Sequence, residues 1–376
     1  MESKCKKRTM TPAEIDKLME NIPRFRKGFF PTPFHHLDNL SKDYGYNIFA
    51  KREDLSGPSN FGGNKVRKLE LIFADALEKG YDTMISMGAY QTNSAMEFCQ
   101  FCCLANIKPI VYLADIHDIG LPTDHDDISG NMRLMTMMGA EIHYVAKDPN
   151  MEGPLVGTLW EKVYRQMDER KAVLEATGHK VRCVPSGCAT DESLVSFVWA
   201  FSELMEQSAA AGVKLDYIFH SNGTGGSLPG MIAAKYLMGS DVEIISMCNG
   251  SCSKKEDLCN QAEMVRRVHV VFDHLGIEAP DDEWIYAQIH YDEDYYGKDY
   301  GEPTEEATNA MLTMASREGL FTDSVYTGKC VAGMLDYMSH ERIPKGSNVC
   351  FIHTGGTGAL FAEEGLTGEI TRRMEK

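Results

Sequence analysis

Thr83-Met-Ile-Ser-Met-Gly88, Ala89-Tyr-Gln-Thr-Asn-Ser94, Ala95-Met-Glu-Phe-Cys-Gln-Phe-Cys-Cys-Leu-Ala105 and Pro109-Ile-Val-Tyr-Leu-Ala114 follow one another with little chain between them. The first is a short apolar run closed by glycine, the second a polar turn, the third an apolar stripe at helical spacing, and the fourth a second short apolar run. Strand, turn, helix and strand make a βαβ unit. The alternation continues with a helix over 131–139, a strand Glu141-Ile-His-Tyr-Val-Ala146, a helix near 155–175 and a strand Lys180-Val-Arg-Cys-Val184. Thr190, with Asp191 and Glu192 behind it, reads as the N-cap of a helix running to about Ala211. A second series follows: strand Leu215–His220, helix 227–238, strand Val242–Met247, helices 304–318 and 327–339, and strand Asn348–His353. The sequence therefore predicts an α/β protein of two open, mostly parallel α/β domains, with a cleft between them at the carboxyl ends of the strands.

Composition narrows the partners. The 376 residues are 43% apolar and 25% charged, with a formal net charge of −17, which repels nucleic acid and anionic lipid at long range. No leader-like apolar segment follows the charged start, and no run of eighteen apolar residues occurs, so the expectation is a cytoplasmic protein outside the membrane. Eleven cysteines without a framework fit a reduced compartment in which thiols serve as small apolar groups. Cys99 and Cys102 lie within the apolar helical stripe, and Cys248, Cys252 and Cys259 are read in the same way. The acidic stretch Asp115–Asp127, with His117 and His125, lacks metal-ligand spacing, and no metal is expected. The run Tyr291–Glu302 reads as a solvated acidic segment from which a tyrosine can still reach a pocket.

Four motifs carry chemistry. Lys51-Arg-Glu-Asp-Leu-Ser-Gly-Pro-Ser-Asn-Phe-Gly-Gly-Asn-Lys65-Val-Arg-Lys68 brings Lys65 through a glycine-rich loop to the start of an amphipathic helix capped by Gly80. The positive potential of a helix N-terminus disfavours a further cation and leaves such an amine more nucleophilic; a solvated surface lysine is the alternative. Gln91-Thr92-Asn93-Ser94 suits a carboxylate, or simply caps its helix. His220-Ser-Asn-Gly223-Thr-Gly-Gly-Ser227 again joins strand to helix through glycines, whose N–H groups can converge on a phosphate, or which merely make a tight turn. It is neither a P-loop nor a dinucleotide fingerprint, which leaves the phosphate of a smaller cofactor. Phe351-Ile-His-Thr354-Gly-Gly is a second glycine-rich strand end, but no clear helix begins after it, so a hydroxyl at Thr354 aimed at a ligand ring fits as well as a phosphate site does.

Taken with Tyr300-Gly-x-Pro-Thr-Glu-Glu306 and Tyr326-Thr-Gly-Lys329, these motifs resemble, in order from about residue 30 to 361, the D-cysteine desulfhydrase and 1-aminocyclopropane-1-carboxylate (ACC) deaminase family. The resemblance implies pyridoxal 5'-phosphate as cofactor, held in the cleft of the tryptophan-synthase-β fold (fold type II). It implies a large domain of residues 1–66 and 186–376, a small domain of 67–185, and a homodimer. Lys65 would form the Schiff base, and Gly223, Thr224, Gly225, Gly226 and Ser227 would hold the phosphate with Lys68 beside them. Asn93 would meet the pyridine hydroxyl, and Thr354 would be the hydroxyl nearest the ring nitrogen. Gln91, Thr92 and Ser94 would bind the carboxylate of a small amino-acid substrate, with Thr92, Tyr300 and Tyr326 as acid/base groups beside Lys65. ACC deaminases carry Glu where this chain has Thr327, and a neutral partner does not stabilise a protonated ring. The expectation is therefore α,β-elimination from a D-cysteine-like amino acid to pyruvate, ammonia and sulfide. ACC deamination is the runner-up. Behind it stand an L-cysteine or cysteate lyase, a β-replacement synthase, a racemase, and a catalytically silent binding relative.

Overall fold

The computed structural model describes residues 9–116, 128–147, 155–254 and 257–362. Among them are ten strands: β1 (Phe34–His36), β2 (Asn47–Lys51), β3 (Thr83–Ala89), β4 (Lys108–Ala114), β5 (Glu141–Val145), β6 (Val181–Cys183), β7 (Tyr217–Asn222), β8 (Glu243–Cys248), β9 (His290–Asp292) and β10 (Asn348–Ile352). They form a six-stranded sheet in the order β1-β2-β10-β7-β8-β9 and a four-stranded sheet in the order β5-β4-β3-β6. All the pairings are parallel except that of the edge strand β1 with β2. Strands covered on both faces need continuous apolar runs, which is why Thr83–Gly88 and Pro109–Ala114 are buried throughout.

The helix Lys65–Lys79 belongs to the packing of both sheets. Val66, Leu69, Ile72, Phe73 and Ala76 pack with Phe98, Phe101 and Cys102 of helix Asn93–Ala105. Leu71 instead joins Phe197, Val198 and Phe201 in the core of the larger sheet. Gly80, at φ 69°, ends the helix in the left-handed region that glycine enters without strain. A residue at the start of this helix is thereby held between the two sheets.

Several expectations change. Thr190 caps no α-helix: residues Asp191–Ser193 make a single 3₁₀ turn, the Thr190 hydroxyl makes no cap bond, and the helix starts at Ser196. The strands β1, β2 and β9 and the helix Gln261–Leu275 are additions; β1 and β9 have three residues each, too few to show a period. Cys252 and Cys259 are joined in a disulfide with Cα atoms 5.2 Å apart, so they are not the free buried thiols expected of them. Cys99 and Cys102 are free and buried, and burial pushes both thiols above the usual range. Of the stretch Asp115–Asp127, residues 117–127 lie outside the described residues. No described helix is long and apolar enough to cross a membrane.

Candidate active site

The Lys-Arg-Glu-Asp segment at the end of β2 turns out to be a fastening. Arg67 forks onto Glu53 at 2.7 and 2.8 Å and reaches Glu203 at 2.9 Å. Lys51 donates to Gln207 at 2.6 Å and to the Thr32 carbonyl at 2.9 Å, and is paired with Glu203. These buried charges tie β2 and helix Lys65–Lys79 to helix Ser196–Ala210, and removing one partner would leave another charge stranded, which costs about 3–5 kcal/mol.

Beyond that anchor the chain turns through Gly62 and Gly63. A Cβ at Gly63 would lie 2.5 Å from Glu97 Oε1 and 2.8 Å from the Thr354 carbonyl, so only glycine fits this passage. Asn64 N donates to the Thr354 carbonyl at 3.1 Å, and Asn64 Nδ2 donates to Ser227 Oγ at 3.1 Å. The residue before Lys65 is therefore fixed to the ends of both β10 and β7. Lys65 opens the helix half-buried, its Nζ 5.4 Å from the centre of the Tyr326 ring.

After β7, residues Gly223–Ser227 curl into helix Leu228–Met238, with Gly225 at φ +71°. No side chain caps that helix, so its first N–H groups are available to an anion. Lys68 Nζ would stand 2.7 Å from a Cβ placed on Gly226, which puts a buried amine against the loop. Among the described residues its one hydrogen bond is a long one, 3.5 Å to the Gly187 carbonyl. Burial, with the charge of Lys65 next, pushes its pKa down to about 7. A buried amine so poorly partnered, beside glycine N–H groups at a helix start, is a donor set that fits a phosphate.

On the facing side, Thr92 Oγ1 accepts from Ala95 N at 3.4 Å and lies 3.0 Å from Ser94 Oγ, which accepts from Gly187 N at 3.3 Å. Gln91 engages other groups: its Nε2 donates to the Ser129 carbonyl at 3.2 Å, and its Oε1 accepts from Asn131 N at 2.7 Å. Asn131 Nδ2 donates to the Gln91 carbonyl at 2.9 Å and to Asn93 Oδ1 at 2.7 Å. Tyr300 and Tyr326 share a hydrogen bond between their hydroxyls, with ring centres 6.0 Å apart. Burial pushes Tyr300 up to about 12 and Tyr326 further, so both phenols keep their protons at ordinary pH. Thr327 Oγ1 donates to Asp323 at 2.6 Å and accepts from Asp323 N at 2.8 Å. Its hydroxyl is thus fully engaged in fastening the start of helix Thr327–Ser339.

Lys65, Lys68, Asn93, Thr354, Tyr326 and the Gly223–Ser227 loop, named from sequence, belong to segments that meet through these bonds. Tyr300, named through the Tyr300–Glu306 motif, joins them from the end of a run whose composition alone reads as solvated. Glu97, Asn131 and Asp323 were missed. Glu97 is fully buried among apolar residues, and burial pushes its carboxyl up to about 7 against the opposing pull of Lys65 and Lys68 and the N–H groups of Val66 and Lys65. A carboxylate inside an apolar helical stripe was the signal for it. Cys248, Cys252 and Glu293 bring ligand atoms within 4.8 Å of one another, but the Cys252 sulfur already belongs to the disulfide.

Residues 25–355 match the family described as pyridoxal-phosphate dependent enzyme. The chain is 30% identical over 351 residues to a 1-aminocyclopropane-1-carboxylate deaminase of Burkholderia cenocepacia (strain HI2424), covering 93% of this chain and 98% of that one. It is 30% identical over 347 residues to the enzyme of the same name from Burkholderia vietnamiensis, covering 92% and 97%. Among solved structures, an ACC deaminase homologue superposes with a TM-score of 0.77 at 27% identity, covering 94% of this chain and 97% of that one. A hydrogen sulfide-producing enzyme from Fusobacterium nucleatum shares the fold, with a TM-score of 0.57 at 17% identity, covering 91% and 98%.

Proposed function

The chain belongs to the pyridoxal-phosphate dependent enzyme family, and on that footing we propose that it is a lyase that removes the β-substituent of a small D-cysteine-like amino acid. The overall reaction takes D-cysteine and water to pyruvate, ammonia and hydrogen sulfide. When bound, pyridoxal phosphate supplies the electron sink that makes the α-proton of an amino acid removable. In this reading Lys65 carries the cofactor, Gly223–Ser227 and Lys68 hold its phosphate, Asn93 meets its ring hydroxyl, and Thr354 is the hydroxyl nearest the ring nitrogen. The remaining roles belong to the chain's own groups. Thr92, Ser94 and the N–H groups opening helix Asn93–Ala105 bind the substrate carboxylate; Gln91, bonded to Ser129 and Asn131, shapes that turn. Lys65 Nζ moves the α-proton, with Thr92 Oγ1 as relay. The neutral Tyr300–Tyr326 phenol pair delivers a proton to the departing sulfur, and its raised pKa keeps that proton in place until it is needed.

The observation that favours elimination over cyclopropane opening is position 327. The hydroxyl there is bound to Asp323 on both its donor and acceptor sides, so a neutral, engaged group stands where ACC deaminases carry Glu. The second reading, ACC deamination to 2-oxobutanoate and ammonia, is favoured by the names of the relatives. Residues 67–185 as a smaller domain facing a larger one of 1–66 and 186–376, a homodimer, and a cytoplasmic setting are part of the same proposal. Incubation with D-cysteine, L-cysteine and ACC separates the readings. Sulfide with pyruvate from D-cysteine supports the first, and 2-oxobutanoate from ACC without sulfide from D-cysteine overturns it.

A further inference from the structure

We infer that Asn131 is a positioning residue that fixes which end of the Asn93 amide faces the cofactor. The inference rests on the reading of Asn93 as the partner of the cofactor's ring hydroxyl. Its basis is a chain of groups whose donor and acceptor roles are forced. The Gln91 main-chain carbonyl can only accept, so the Asn131 atom 2.9 Å from it must be the nitrogen Nδ2. That same nitrogen lies 2.7 Å from the Asn93 side chain, so Asn93 must present its oxygen there. The amide is planar, with oxygen and nitrogen on opposite sides, and the end of Asn93 turned away from Asn131 is therefore the donor Nδ2.

Two further observations show that Asn131 is held for its donors. It is wholly buried at the start of helix Gly130–Met137, and among the described residues its own Oδ1 has no hydrogen-bond partner, an arrangement that an apolar residue of similar size would avoid. A Cβ on Gly358 would collide with that oxygen, so the turn Thr357–Phe361 seals the third side of the amide and holds it in place. The main-chain N–H of residue 131 separately holds Gln91 Oε1, a bond that side-chain replacement leaves intact. Substitution at 131 therefore strips the support of Asn93 while keeping the Gln91 side chain in position.

A donor on the ring oxygen favours its negative charge, and losing that donor strengthens the oxygen's hold on a proton. The test is a pH titration of the visible absorbance of substrate-free holoenzyme, with the cofactor Kd measured by equilibrium dialysis and folding checked by thermal unfolding. The variants are Asn93→Ala, Asn131→Leu and Asn131→Ala. Asn93→Ala is expected to raise the titration midpoint by about one unit, the size of one hydrogen bond to a charged oxygen. Asn131→Leu is expected to raise it in the same direction by at least about half as much, with a several-fold weaker Kd. Asn131→Ala serves if the leucine variant does not fold. If Asn93→Ala moves the midpoint while folded Asn131 variants leave it in place, Asn131 only braces the turn and the inference is overturned. If Asn93→Ala itself leaves the midpoint unmoved, the reading of Asn93 falls and the inference falls with it.

Discussion

Two strands of the larger sheet, β7 and β10, end in the same way on paper, with a hydroxyl residue among glycines, yet the two ends do different work. After β7, Gly223–Ser227 feeds an eleven-residue helix whose first N–H groups lack a cap, with the Lys68 amine against the loop. After β10, Gly355 and Gly356 adopt φ +97° and +100° and lead only into the short turn Thr357–Phe361. Gly355 pairs with Gly63, and the Thr354 carbonyl holds Asn64, so this end is a clasp on the loop that delivers Lys65. Glycine after a strand therefore does not by itself mark an anion site. The element after the glycines decides: a helix of useful length supplies N–H groups, and a short turn supplies only room for another backbone.

Substitutions can break this contrast. Gly225→Ala forces a side chain into the left-handed region at φ +71° and against Met264 and Arg267, which carries the Thr224 carbonyl. At about 2–3 kcal/mol it should weaken the cofactor Kd roughly 100-fold, as read by dialysis. Lys68→Met comes next, with about a 30-fold loss of cofactor affinity, the size of a hydrogen bond to a charged group. The same variant should leave the cofactor-free protein as stable as before or more so, because it removes a poorly partnered buried amine; a clear fall in its unfolding midpoint would mean that Lys68 is structural. Gly355→Ala, with a Cβ 2.6 Å from the Gly62 carbonyl, should destabilise the fold by about 2 kcal/mol in urea while changing the cofactor Kd less than about 3-fold. Equal losses of affinity at 225 and 355 would erase the distinction between cradle and clasp.

A separate set of effects lies in pH dependence. Lys68 titrates at about 7 in the cofactor-free fold against an ordinary 10.5, so between those values the unfolded chain binds the extra proton and this group's contribution to stability rises with pH. Glu97 runs the other way. Its pKa stands at about 7 against 4.5, so its contribution falls as pH rises through that interval. Glu97→Gln should remove the lower slope and Lys68→Met the upper one, as followed by urea unfolding of the cofactor-free protein.

The segments that meet at the candidate site carry local signals in the sequence. Lys65, Asn93 and Gly223–Ser227 stood at strand-to-helix junctions that apolar runs and glycines mark locally, and the helices between them carried their own periodicity. Tyr300 was named through its Tyr-Gly-x-Pro-Thr motif, whereas composition alone reads it as one tyrosine in an acidic run, because its hydroxyl partner, Tyr326, lies 26 residues away. Asn131 gave no signal, since its bonds reach back to Gln91 and Asn93 and are made only by tertiary packing; Asp323, which holds the N–H groups of Val325, Tyr326 and Thr327 just before helix Thr327–Ser339, was a local capping pattern that went unread. The Cys252–Cys259 pair was misread for a related reason: composition suggests a compartment, and it does not report which two thiols a loop brings together.

The most direct test of the central claim, that Lys65 carries the cofactor while the loop after β7 holds its phosphate, is borohydride trapping with peptide mapping. The account predicts a visible band near about 410–420 nm, the usual region for a lysine-bound cofactor of this kind, lost on reduction with the adduct on Lys65. A colourless protein that takes up no pyridoxal phosphate, or an adduct carried by Lys68 or another lysine, would contradict it.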